Sequence, residues 1–168
     1  VRIHVTEKLS YKAIEYPQGS RASQMLYDSA IMVGPKYAWA YYQKSVPYFK
    51  HGLLHEAMQL LNKAVELEPK SYYLCYRAYW YFSHQSYEMC IRDLEQYYFE
   101  YQQPIEFTPG GDMEMRLLLG LSYARLGNLE KGIKTISDCI NSYESKDYLG
   151  IYDYYILGSL YYENGQFV

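Results

Sequence analysis

The chain has 168 residues, which fits one domain or one stretch of a repeat array. Apolar residues make up 49% and charged residues 21%, with no apolar run near the roughly 18 residues of a membrane span, so direct membrane insertion is not expected. The net charge is −3 with Lys and Arg scattered, so the basic face that phosphate binding needs is missing and nucleic acid is not an expected partner.

Residues 1–20 carry little pattern. No basic stretch followed by an apolar one opens the chain at Val1, so a signal peptide is not expected and a cytoplasmic place is the default expectation. Next, Ser23, Tyr27 and Ala30 are spaced as one helical stripe, followed by Pro35. The same order returns at Ala57, Leu61, Ala64 and Pro69, and Pro35 to Pro69 spans 34 residues. Further on come Cys90, Leu94 and Tyr97, then Gly132, Ile136 and Cys139. Each set is small, then large at +4, then apolar at +7.

A second motif precedes each of the last three stripes and recurs once more after them. Leu119-Gly120-Tyr123-Gly127 and Leu157-Gly158-Tyr161-Gly165 share L-G-x-x-Y-x-x-x-G. Weaker forms are Ser45, Tyr48 and Gly52, and Ala78 with Tyr81. Tyr48, Tyr81, Tyr123 and Tyr161 recur at intervals of 33, 42 and 38 residues. The longer intervals place insertions at the Pro/Gly-rich stretch 101–112 and the polar stretch 142–150.

Together these motifs resemble the tetratricopeptide repeat family, whose unit is a pair of antiparallel helices of about 34 residues. The resemblance covers most of the chain and implies an all-α fold, a right-handed superhelix of antiparallel helix pairs (an α-α solenoid). Its expected divisions are a degenerate repeat at 1–35, repeats at 36–69 and 70–104, a loop at 105–112, a repeat at 113–149, and the first helix of a truncated repeat at 150–168. The helices expected are about 5–16, 21–33, 36–50, 54–67, 71–84, 87–101, 113–126, 129–142 and 150–164. Pro47 should kink its helix or shift its start. Lys44, Arg77 and Arg116 depart from the family pattern, which has Leu or an aromatic there.

Tyrosine occurs 24 times, and the run SYYLCYRAYWYF (71–82) concentrates it. A strand would alternate polar and apolar residues, and this run does not. Helical spacing sorts it into a helix-pairing face (Leu74, Ala78, Tyr81), an edge (Tyr73, Trp80) and a third face (Tyr72, Cys75, Tyr79, Phe82). In tetratricopeptide proteins the first helix of each pair lines a concave surface that binds extended peptides or partner helices. The resemblance therefore implies groove residues Tyr42, Val46, Phe49, Tyr72, Cys75, Tyr79, Phe82, Leu117, Leu121, Tyr152, Tyr155 and Tyr162. It places Lys50, Arg125 and Glu163 at the groove edge. The Lys, Asn and Arg with which chaperone-binding members hold a terminal carboxylate are absent from these positions. An aromatic, nearly neutral groove would favour apolar or Pro-containing segments. The competing expectation is that these rings fill their own groove.

No catalytic or cofactor chemistry is expected. His51 and His55 are four apart, but they fall at the end of one helix and the start of the next, without a third metal ligand. His84 lies beside the corresponding turn. Gly110-Gly111 precedes a helix without the Lys-Ser/Thr of a phosphate-binding loop, and Asp112 is the expected N-cap. Cys75, Cys90 and Cys139 are odd in number and far apart, which suits buried free thiols. The expected function is a non-catalytic scaffold with a protein or peptide partner. The alternative is a regulatory or sensor segment of a larger signalling or DNA-binding protein. An apolar end after Phe167 would also favour homodimerisation.

Overall fold

The computed structural model describes residues 2–69, 72–101, 109–143 and 151–165. Its elements are α1 (Arg2–Ile14), α2 (Arg21–Val33), α3 (Ala38–Lys50), α4 (Leu54–Leu67), α5 (Tyr73–Ser83), α6 (Tyr87–Tyr101), α7 (Pro109–Arg125), α8 (Leu129–Tyr143) and α9 (Ile151–Glu163). All regular structure among the described residues is helical. The chain forms two compact units, Val1–Tyr73 and Leu74–Val168.

The four periodic stripes are the buried faces of the even-numbered helices. Leu61, Leu94 and Ile136, the large residue in three of them, have no exposed surface. Tyr27 holds the same place in α2 and is 5% exposed. The small residues beside them (Ala30, Ala57, Ala64, Cys90, Cys139) are also fully buried, which lets the preceding helix approach closely.

In the first unit, α1 pairs with α2 and α3 with α4. The core gathers Ala13, Tyr27, Ala30 and Ala40, and Trp39 packs against it. The Trp39 ring meets Tyr11 at 5.5 Å, Tyr37 at 6.1 Å and Tyr27 at 6.4 Å. Ser20 caps α2, its hydroxyl oxygen accepting from the Ser23 N–H at 3.2 Å. Pro47 stays inside α3, which runs on to Lys50.

In the second unit, α7 packs on α8, and α9 packs on α8 in turn. Ile133, Ile136 and Ile140 of α8 form a core with Leu160 of α9. Gly120 allows the tightest approach, because a methyl there would come within 2.5 Å of Ile136 Cγ1 and 3.0 Å of the Gly132 carbonyl oxygen. Asn128 caps α8 by accepting from the Lys131 N–H at 3.1 Å.

One turn repeats in both units. Gly52, Gln85 and Gly127 all have left-handed φ angles of 73°, 58° and 85°. Their N–H groups donate to Phe49, Phe82 and Ala124, three residues back, at 3.0, 2.9 and 2.9 Å. The next N–H groups reach five residues back to the carbonyls of Tyr48, Tyr81 and Tyr123 at 2.9, 2.8 and 3.0 Å. This is the Schellman ending of a helix. Three of the recurring tyrosines, Tyr48, Tyr81 and Tyr123, are therefore the residues whose carbonyls close α3, α5 and α7.

Three cations depart from the family pattern, and each meets a partner on another helix. Lys44 pairs with Asp28 of α2. Arg77 pairs with Asp93 of α6, and the Arg116 guanidinium lies 5.3 Å from the Tyr98 ring centroid. Two helix starts differ from expectation by three residues or more. α1 begins at Arg2 instead of about residue 5, and α7 begins at Pro109 instead of 113. Asp112 is thus inside α7 and is not its N-cap, while Pro109 takes the first helical position, where its fixed φ and missing N–H are no cost. The rest of the expected loop, 102–108, and most of the polar stretch 142–150 lie outside the described residues.

Candidate functional site

The expected groove residues fall into two groups, one in each unit. In the first unit Tyr42, Val46 and Phe49 are buried, and the Tyr42 ring meets Tyr72 at 5.2 Å and Tyr73 at 5.1 Å. Tyr72 and Tyr73 also pack on each other at 4.7 Å. Burial, then the neighbouring Tyr72 and Glu68, push the Tyr73 phenol far above its ordinary value, as expected for a ring sealed among others.

Cys75 of α5 is buried, Phe82 is half-buried against Tyr87, and Tyr79 is 41% exposed. Leu117 and Leu121 of α7 are half-buried against the α8 core. Tyr155 and Tyr162 of α9 are each 71% exposed. The Tyr152 side chain lies outside the described residues.

A cleft of about 410 Å³ opens between α7 and α9. Both helices lean on α8, which forms their common support. From α7 come Leu121, Ala124 and Arg125, and from α9 come Tyr155, Ile156, Ser159, Leu160 and Glu163. Spacings of one, three and four residues put each set on one face of its helix. The cleft brings together four residues expected at the groove or its edge: Leu121, Arg125, Tyr155 and Glu163. It leaves out Tyr79 and Tyr162, which are exposed but do not line it. Ala124, Ile156, Ser159 and Leu160 were missed. Their signal was helical arithmetic: Ala124 lies three residues on from Leu121, and Ile156, Ser159 and Leu160 lie one, four and five on from Tyr155.

The walls of this cleft mix apolar side chains with polar ones, its volume suits a large side chain with adjoining backbone, and Arg125 and Glu163 supply opposite charges. The Ser159 hydroxyl is turned away into its own helix, donating to the Tyr155 carbonyl at 2.9 Å. No lining residue pairs a nucleophile with a base. Among the described residues no three His, Cys, Asp or Glu side chains gather as metal ligands. No described helix is long and apolar enough to cross a membrane. His51 and His55 are exposed on either side of the α3–α4 turn, and His55 Nε2 lies 2.9 Å from the Gln59 amide.

The tetratricopeptide repeat family model matches residues 40–71 and 114–146, so the chain carries tetratricopeptide repeats in both units. No curated protein matches the chain at a significant level. Among solved structures, MamA (41–end) from Desulfovibrio magneticus RS-1 superposes with a TM-score of 0.73 at 17% identity, covering 98% of this chain and 86% of that one. MamA of strain AMB-1 gives 0.71 at 14% identity, covering 98% and 89%. The structure described as a functional characterization of Pseudomonas aeruginosa pilF gives 0.74 at 12% identity, covering 98% and 71%. At these identities the likeness is one of fold.

Proposed function

With tetratricopeptide repeats in both units as the premise, we propose that the chain is a non-catalytic scaffold that captures a peptide or protein segment on the aromatic first-helix face of its second unit. The repeats support a protein-interaction scaffold in general. The observation that carries the finer reading is the convergence of Leu121, Arg125, Tyr155 and Glu163 on one cleft whose Tyr155 ring is 71% exposed. Rings offer large contact area at small side-chain entropy cost, so an exposed tyrosine at such a cleft is a natural anchor. The first unit contributes support instead, because its expected groove rings are spent on one another.

The test is selection of binders from a random peptide display library, followed by anisotropy titration of the selected peptides. Tyr155→Ala combined with Tyr79→Ala should weaken them by about tenfold or more, on the scale of a hot-spot residue, with helical circular dichroism unchanged. Unchanged affinity in the double variant would remove this face from the account.

A further inference from the structure

Arg125 and Glu163 line the same cleft with opposite charges, and among the described residues neither side chain makes a hydrogen bond or ion pair. They sit at corresponding places. Arg125 is the last residue of α7 and Glu163 the last of α9. For Arg125 that position suits its own helix, since the negative end of the helix dipole favours a cation. For Glu163 it does not: a carboxylate at that end is disfavoured, and α9 has no basic residue in its last turn to offset it. The stability of α9 therefore does not account for Glu163.

A donor and an acceptor of opposite charge at one cleft discriminate among ligands. A terminal carboxylate that pairs with Arg125 is repelled by Glu163, and an ammonium that pairs with Glu163 is repelled by Arg125. An uncharged group with both a donor and an acceptor satisfies the two together. In an extended peptide, the N–H and C=O of one residue point to the same edge, as they do in a strand pair.

We propose, resting on the scaffold reading above, that this cleft recognises the main chain of an internal, uncharged, extended peptide segment. Arg125 donates to one residue's C=O and Glu163 accepts from the same residue's N–H. A large apolar side chain of the segment packs between Leu121 and Tyr155. Neutral internal segments are thereby selected over chain ends.

The probes are octapeptides drawn from the display selection, with acetylated and amidated ends. Their counterparts carry either a free carboxylate directly after the apolar residue or a methyl on that residue's amide nitrogen. On the wild-type chain, N-methylation should weaken binding about tenfold, and the free carboxylate should weaken it as well. Glu163→Gln should weaken the blocked peptide, leave the N-methylated one unchanged, and strengthen the free-carboxylate form. Because Glu163 opposes its helix dipole, this variant should fold at least as well as wild type.

Indifference to N-methylation, with Tyr155→Ala still weakening binding, would overturn main-chain recognition while the scaffold reading stands. A free-carboxylate peptide that binds wild type more tightly than the blocked one would overturn it in favour of terminal capture. Failure of every peptide to bind, with sedimentation showing a dimer that Tyr155→Ala dissolves, would overturn both readings and assign the face to a second copy.

Discussion

Arg77 grips Asp93 with two parallel hydrogen bonds, Nε to Oδ2 at 2.6 Å and Nη2 to Oδ1 at 2.9 Å. The Asp93 side chain has no exposed surface and that of Arg77 is only 12% exposed, so this fork joins α5 to α6 inside the second unit. Removing Asp93 strands the buried Arg77 charge, and removing Arg77 leaves Asp93 only the longer bonds from Arg92, at 3.3 and 3.4 Å. Asp93→Ala should cost about 3–5 kcal/mol in urea unfolding, and Arg77→Leu less, because Arg92 still reaches Asp93. The double replacement of Arg77 and Asp93 by leucine should recover most of that loss, because apolar neighbours replace a desolvated pair. A double variant as unstable as the sum of the two singles would show that the fork itself holds the hairpin.

Gly120 and Gly158 occupy the same place in two copies of one motif, yet their surroundings differ. A methyl on Gly120 runs into Ile136 and the Gly132 carbonyl, whereas a methyl on Gly158 meets nothing within 4 Å. Gly120→Ala should therefore destabilise by about 1–3 kcal/mol through overpacking. Gly158→Ala should stabilise by up to about 1 kcal/mol, the helix propensity gained without a clash. Thermal unfolding of both variants decides the matter, and equal effects would mean the two sites are equally open.

Gln85 carries a left-handed φ of 58° at the turn position that is glycine in the hairpins on either side, Gly52 and Gly127. A side chain there costs about 1 kcal/mol, because Cβ crowds the following carbonyl. Gln85→Gly should gain stability by several tenths of a kcal/mol, since the strain relieved is partly offset by greater freedom of the unfolded chain. A loss of stability in chemical denaturation would mean that the Gln85 side chain makes up for its strain by other contacts.

Burial pushes the Cys90 thiol up to about 11; the Ser122 hydroxyl lowers it and the nearby Asp93 raises it. The folded state then keeps a proton that the unfolded chain gives up near pH 9, so stability falls as pH rises from about 9 toward 11, by at most about 1.4 kcal/mol per pH unit. Between pH 8.5 and 10 the wild type should lose stability faster than Cys90→Ala. Equal slopes would remove the thiol from the alkaline transition. The phenols of Tyr27, Tyr73 and Tyr123, also raised mainly by burial, extend the decline above pH 10.

Much of the fold was legible because the pattern is local and repeated. A small residue followed by a large one at +4 can face a neighbour only as a helix, and four copies of that stripe fixed α2, α4, α6 and α8. Tyr48, Tyr81 and Tyr123 marked helix ends for a reason the residues do not display: it is their carbonyls, not their rings, that receive the Schellman bonds. The start of α7 was misjudged because Pro109-Gly110-Gly111 carries loop propensity, while proline at a first helical position and the apolar stripe beyond it favour helix.

By itself the sequence determined that this is an all-α protein of paired helices, and which side of each second helix is buried. That follows because periodicity and turn chemistry act over distances of a few residues. Only the tertiary structure decided which aromatic side chains remain in solvent. Tyr42 and Tyr155 are both first-helix tyrosines at expected groove positions, yet one is walled in by Tyr72 and Tyr73 and the other is 71% exposed beside a cleft. Exposure depends on what a neighbouring helix brings to the same place, and residues far apart in the chain set that. For the same reason Arg77 looked like a break in the pattern until Asp93 was found beneath it.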